Sequence, residues 1–150
     1  MTDIIKSRFT PRDVNYPSCA DVYAEFFVYS RFEDAEKLFQ GNVIKPDFQQ
    51  VVGDTFTNKL DRVRIAKLDL WGISTDKKVV SKDARDHLDY LLSKLIIEKK
   101  AILSLQKNYK MGVKCVWFAS STGGPAVWPE QMSILSELNL ELAFSVYCLD

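Results

Sequence analysis

The sequence predicts an α+β domain in which one antiparallel or mixed sheet carries its helices on one face. Three observations predict it. The apolar period switches repeatedly between two and about 3.6 residues. A length of 150 residues and a 47% hydrophobic content suit one ordinary domain with a normal core. The resulting order is strand, helix, short strand, strand, long helix, strand, helix, strand, which points to two β-α-β-like halves in the ferredoxin manner. One domain is expected over 1–150, with 1–18 as an irregular N-terminal segment.

Each element has its own signature. "DVYAEFFVYS" (21–30) alternates Val22, Ala24, Phe26 and Val28 on one face and reads as a strand. "FEDAEKLFQGNV" reads as a short helix with Ala35, Leu38 and Phe39 on one side and Gly41 as its stop. "IKPDFQQVVGDTFTN" is turn-rich, with one short strand expected, and "RIAKLDLWGIST" (64–75) is a second long strand. Ser81 is the expected N-cap of the longest helix, whose stripe of Ala84, Leu88, Leu91, Leu92 and Leu95 should face the sheet. "IIEKK" is expected to bend that helix into "KKAILSLQKN", which places Ile102 and Leu105 similarly. "GVKCVWFAS" is a strand and "PEQMSILSELN" a helix, and "LELAFSVYCL" closes the sheet with Leu140, Leu142, Phe144, Val146 and Cys148 alternating.

Charge narrows the function classes. Twenty basic and 20 acidic side chains cancel, so the whole-molecule field attracts neither nucleic acid nor an anionic membrane. The distribution is uneven: between Lys94 and Lys114 stand six lysines against the single Glu98, whereas Cys115 to Asp150 holds four acids and no Lys or Arg. A solvated helix face explains such a run; a docking patch for an acidic protein, using Lys99, Lys100, Lys107 and Lys110, is the sharper reading. No apolar stretch has signal-peptide or membrane-span length, so a cytoplasmic location is expected. Cys19, Cys115 and Cys148 form no CxxC pair and are expected to be reduced, with Cys115 and Cys148 buried in apolar strands.

"YAEFFVY", "KPDFQQVVGD", "HLDYLLSKL" with "KKAILSL", "VWFASSTGGPAVWPEQM" and "LNLELAFSVYCL" together resemble the bacterial domain-of-unknown-function family 4279. The resemblance covers nearly the whole chain. Its most specific part is the aromatic strand entering a Ser-x-x-Gly-Gly-Pro turn and a Pro-Glu helix start: Trp117, Ser120, Gly123, Gly124, Pro125, Pro129 and Glu130. In the family an aliphatic residue and Ser often precede Pro-Glu; here Val127 and Trp128 stand there, so the usual Ser cap is missing. The resemblance implies a small α+β fold in bacteria and no established reaction.

The turn itself, "SSTGGPAVWPEQM", has the look of a phosphate loop. A P-loop requires Lys and Ser or Thr after its second glycine, but Pro125 and Ala126 follow. A dinucleotide fingerprint is lacking too. What remains is a tight strand-to-helix turn, in which Gly124 is expected to need a positive φ and Pro129 to open the helix. The other reading is an anion nest built from the amides of Gly123 and Gly124 and the hydroxyls of Ser120, Ser121 and Thr122, with Trp117 and Asp54 lining a cleft.

Other chemistry is thin. His87 is the only histidine, so metal binding is not expected, and a surface ion pair with Asp83 or Asp86 is its plainest role. Asp54 and Asp69 read as a turn cap and a solvent-facing strand residue, although a carboxylate pair is the alternative. The aromatics Trp71, Trp117, Trp128, Tyr23 and Tyr29 outline a stacking platform but lack a basic RNP-like strand, which favours core or interface. No cofactor motif and no catalytic set is present in the sequence. The expected function is a small bacterial protein-binding domain of immunity or antitoxin type, with a toxin as partner; a small-ligand sensor or an enzyme using the Ser120–Pro125 turn is the alternative.

Overall fold

A computed structural model describes residues 8–41, 43–58 and 60–148. The chain is a mixed α+β fold. Its elements are β1 (Cys19–Val28), α1 (Phe32–Glu36), β2 (Phe48–Gln50), β3 (Thr55–Thr57), β4 (Val63–Ile65), β5 (Leu70–Ser74), α2 (Ala84–Leu95), a 3₁₀ turn (Ile96–Glu98), α3 (Lys99–Leu105), β6 (Met111–Ala119), α4 (Pro129–Glu137) and β7 (Leu142–Cys148). Strands β2-β5-β1-β6-β7 form one five-stranded sheet, and β3 and β4 form a separate hairpin.

β1 lies at the centre because both of its neighbours need it. It pairs antiparallel with β5 and with β6, setting Phe26 against Ile73 on one side and Val113 on the other. The alternation in the sequence holds: Val22, Ala24, Phe26 and Val28 are buried, and the residues between them are less so. β6 and β7 run parallel with α4 between them, a β-α-β crossover of the expected kind. The first half returns instead as the antiparallel β1–β5 pair, with α1, β2 and the hairpin in the connection.

The helices occupy the face that Val22, Phe26 and Trp71 present. Leu88, Leu91, Leu92 and Leu95 of α2 are fully buried there, as are Ile102 and Leu105 of α3. Each such side chain contributes about 1.5–3 kcal/mol by leaving water. Trp71 anchors the α1 end, with Phe26, Phe32 and Phe39 edge-on at 5.9, 5.0 and 5.9 Å and its indole N–H donating to Ser30 Oγ at 3.0 Å. On the other face Gly72 leaves room for Phe48, whose ring lies 2.2 Å from where a Cβ would be. The bend expected at "IIEKK" is the 3₁₀ turn, and its Glu98 is buried, accepting the Gly41 and Gln40 amides at 2.7 and 3.2 Å.

Several sequence expectations are corrected. The long strand over 64–75 is two, β4 and β5, broken between Ala66 and Asp69, and the turn-rich stretch holds β2 and β3 rather than one strand. α1 ends at Glu36, which leaves Leu38 outside the helix and part-exposed. Asp83, not Ser81, caps α2: its carboxylate accepts the Arg85 amide, while Ser81 Oγ donates to Asp86. Cys148, the last residue of the edge strand β7, is exposed; Cys19 and Cys115 are buried. His87 is not on the surface but 1% exposed, turned toward the end of β5. The Ser81 carbonyl can only accept, so Nε2 donates to it at 2.8 Å; Nδ1 lies 2.6 Å from Thr75 Oγ1, which also accepts the Ala24 amide at 2.8 Å. The imidazole is therefore a structural strut between α2 and the sheet.

Candidate functional site

β6 delivers the Ser120–Pro125 turn against the irregular segment 8–18 that precedes β1. The turn's polar groups point at that segment. Ser120 N–H donates to the Ser18 carbonyl at 2.9 Å, Ser120 Oγ lies 3.4 Å from the Pro17 carbonyl, and Tyr16 OH donates to the Gly124 carbonyl at 2.8 Å. The backbone requirement falls on Gly123 rather than Gly124. Gly123 has φ +151°, and a Cβ there would lie 2.4 Å from Ser18 Oγ; Gly124 has ordinary φ and open space around it. The correction has a steric cause: Gly123 is where the turn touches the N-terminal segment. At the start of α4 the missing Ser cap is replaced, since Gln131 Oε1 accepts the Trp128 amide at 2.9 Å and Pro129 takes the first helical position.

Beneath the turn lies a buried ion pair. Arg85 and Asp83 have side chains 1% and 0% exposed, bonded through Nη2 at 2.7 Å and Nε at 2.8 Å. The guanidinium also reaches the Thr10 and Pro11 carbonyls at 2.7 and 3.0 Å, and its Cζ lies over the Trp128 ring, 4.0 Å from the centre. Arg8 stacks on the same ring at 4.6 Å and pairs with Glu130. Burial pushes the Asp83 carboxyl up, but hydrogen bonds from the Arg85 side chain and from the Asp13 and Arg85 amides outweigh it, and the group is held below the usual carboxylate range. The side-chain bond to Asp83, together with its charge, raises Arg85 against the opposing effect of burial. Residues 8–18 are thus clamped onto α2 and α4 by charge-assisted bonds rather than by a strand ladder.

Between segment and turn lies a cleft of about 310 Å³, lined among others by Thr10, Asp13, Tyr16, Ser18, Ser121 and Thr122. Of the sequence candidates, only Ser121 and Thr122 line it. Trp117 is fully buried with Tyr16 edge-on at 6.3 Å, a packing role. Asp54 stands elsewhere, at the β2–β3 turn, where it accepts the Val51 amide at 3.1 Å; Asp69 accepts the neighbouring Val52 amide at 3.0 Å. Both carboxylates tie down one turn, in keeping with the cap reading of Asp54. Among the described residues no three His, Cys, Asp or Glu side chains group as metal ligands.

The lysine run is divided by α3. Lys99 and Lys100, both exposed, flank a second cleft of about 360 Å³ that Leu38, Gln40 and Ile97 also line. Ile97 is 64% exposed and Leu38 39%, so the lysines border an apolar surface. Lys107 and Lys110 are exposed beyond the other end of the helix; Lys110 lines a smaller hollow with Phe27, Tyr29 and Gly112.

Residues 20–149 match the family described as a domain of unknown function, DUF4279. The chain belongs to this family. No curated protein and no solved structure matches it. The DUF4279 match begins at Ala20, so the clamped segment 8–18 lies outside the matched region. Among the described residues no helix is long and apolar enough to cross a membrane. The residues that sequence reasoning missed are Arg85, Gln131 and Glu98. Arg85 had a signal: it sits three and seven residues before Leu88 and Leu92, on the apolar stripe of α2. Gln131, which donates to the Arg85 carbonyl and to Asp89, and Glu98 had none.

Proposed function

We propose that this chain is an intracellular bacterial protein-binding domain that neutralises or regulates its partner, of immunity or antitoxin type, and that it docks an acidic partner protein on the surface around Ile97. The observation that carries the reading is the apolar surface of Ile97 and Leu38 beside Lys99 and Lys100. Ile97 leaves most of its side chain in water, and an apolar centre with a charged rim is the build of a protein interface. Buried Glu98 ties the 3₁₀ turn beneath this surface to the Gln40 and Gly41 amides. Lysines at the rim steer an acidic partner and speed its arrival. The test is co-expression with the product of the adjacent gene. Toxicity of that product should be relieved by the wild type and by Lys107→Glu, but not by Ile97→Asp or by Lys99→Glu/Lys100→Glu at equal expression and unchanged circular dichroism. Relief by all variants alike would remove this surface from the reading.

The cleft between Ser121, Thr122 and Asp13 favours a second reading, a small-ligand sensor. Its hydroxyls and one carboxylate suit a hydroxylated or cationic molecule better than an anion, since Asp13 at the wall repels negative charge. A saturable rise in Tm with phosphate or sulfate, lost in Ser121→Ala, would instead support an anion site.

A further inference from the structure

We infer that β7 is the seam of a homodimer, in which two copies join their sheets edge to edge about a two-fold axis at Ser145. The two edges of the five-stranded sheet are built differently. The β2 edge has three residues, Phe48–Gln50, two of them glutamines, and Pro46 and Asp47 stand directly before it. Such brevity and polarity blunt an edge against pairing. β7 has seven residues, Leu142–Cys148, without a charge, a proline or a register shift against β6. Phe144 and Val146 are 44% and 52% exposed, and Tyr147 is exposed on the opposite face. Among the described residues no strand pairs with its outer side.

The backbone fixes which groups are offered. Val113 N–H donates to the Glu141 carbonyl at 2.9 Å, so at this edge odd-numbered residues turn their amide groups toward β6. By the alternation of a strand, Leu142, Phe144, Val146 and Cys148 turn N–H and C=O outward. An antiparallel partner strand satisfies these groups when outward-facing residues stand opposite one another. A two-fold axis at Ser145 does this for the whole strand: Phe144 faces Val146 of the second copy, Leu142 faces Cys148, and Ser145 faces itself in a non-hydrogen-bonded pair. On the helix face this sets aromatic against β-branched side chain, and on the opposite face Ala143 sits against Tyr147, small against large.

Self-complementarity selects the occupant. β7 carries no charge of its own, and in the register about Ser145 each side chain meets an apolar or small side chain of an identical strand, so a second copy satisfies both the outward backbone groups and the exposed apolar surface. Each copy has one such edge, so the pairing closes at two and does not propagate. This inference is independent of the Ile97 surface, which lies on different elements.

The test is sedimentation velocity on the full chain at micromolar concentration. The wild type is expected at twice the 17.2 kDa monomer mass. Ser145→Lys and Ser145→Glu each set like charges on the axis and are expected to be monomers; an equimolar mixture of the two is expected to restore the dimer. A second variant avoids any loss of folding: Ser145→Cys in a Cys148→Ser background is expected to form a covalent dimer on mild oxidation, since opposed residues of a non-hydrogen-bonded pair lie within disulfide reach. A monomeric wild type would overturn the inference. So would a wild-type dimer that survives Ser145→Lys, or a Ser145→Cys chain that does not cross-link.

Discussion

Removing Asp83 tests whether the buried ion pair organises the region around the Ser120–Pro125 turn. Asp83→Ala deletes the acceptor of two guanidinium bonds, of the Asp13 amide and of the Arg85 amide at the start of α2, all between 2.7 and 3.1 Å. What remains is a guanidinium 1% exposed, with the Thr10 and Pro11 carbonyls but without its bonded carboxylate. Breaking a buried pair from one side costs about 3–5 kcal/mol, and most of that is the stranded charge rather than the lost attraction. Urea denaturation should therefore show a lower midpoint, and a loss of that size is a large share of a typical stability of about 5–15 kcal/mol. The double variant Asp83→Ala/Arg85→Leu should recover much of the loss, because no charge is then left buried; strong non-additivity is the signature. The pH dependence has a definite sign. The folded carboxyl is held below its unfolded value of about 3.9, so its contribution is complete above that pH and is lost as pH falls through the folded value. Acid unfolding below about pH 4 should be shallower in Asp83→Asn than in the wild type. A cost under about 1 kcal/mol for Asp83→Ala, or additive single losses, would refute the reasoning.

The turn glycines should separate cleanly: Gly123→Ala meets Ser18 Oγ at 2.4 Å in a left-handed conformation and should lower stability by about 1 kcal/mol or more, whereas Gly124→Ala should be nearly neutral by thermal denaturation. Gly72→Ala should be more damaging, since its Cβ would meet both the Phe48 ring and the Phe26 carbonyl within 2.3 Å, and soluble yield and Tm should both fall. Thiol labelling of the folded protein should modify Cys148 quickly and the other two slowly, because burial pushes Cys19 to about 11 and Cys115 to about 12; equal rates for all three would contradict the packing of β1 on β6.

The α+β class, the order of the principal elements and the apolar stripe of α2 were legible in the sequence, because period and burial are local consequences of how side chains alternate on a strand or stack on a helix. Val22, Phe26, Leu88 and Leu92 are core residues by pattern alone. Tertiary structure decided the rest. β1 and β7 carry the same alternation, yet one is central and the other is an edge with Phe144 and Val146 exposed, and nothing within a strand records how many neighbours it will have. His87 reads as a surface residue and is buried because Thr75, at the end of β5, and the Ser81 carbonyl meet its two nitrogens. The candidate turn was visible as Ser-x-x-Gly-Gly-Pro, but which glycine is obligatory depends on Ser18, 105 residues away in the chain and 2.4 Å away in space from the absent Cβ. Arg85 shows the same limit. Its place on the apolar stripe was readable, but the carbonyls of Thr10 and Pro11 and the ring of Trp128 come from distant parts of the chain, and only long-range packing can bring a buried charge its partners.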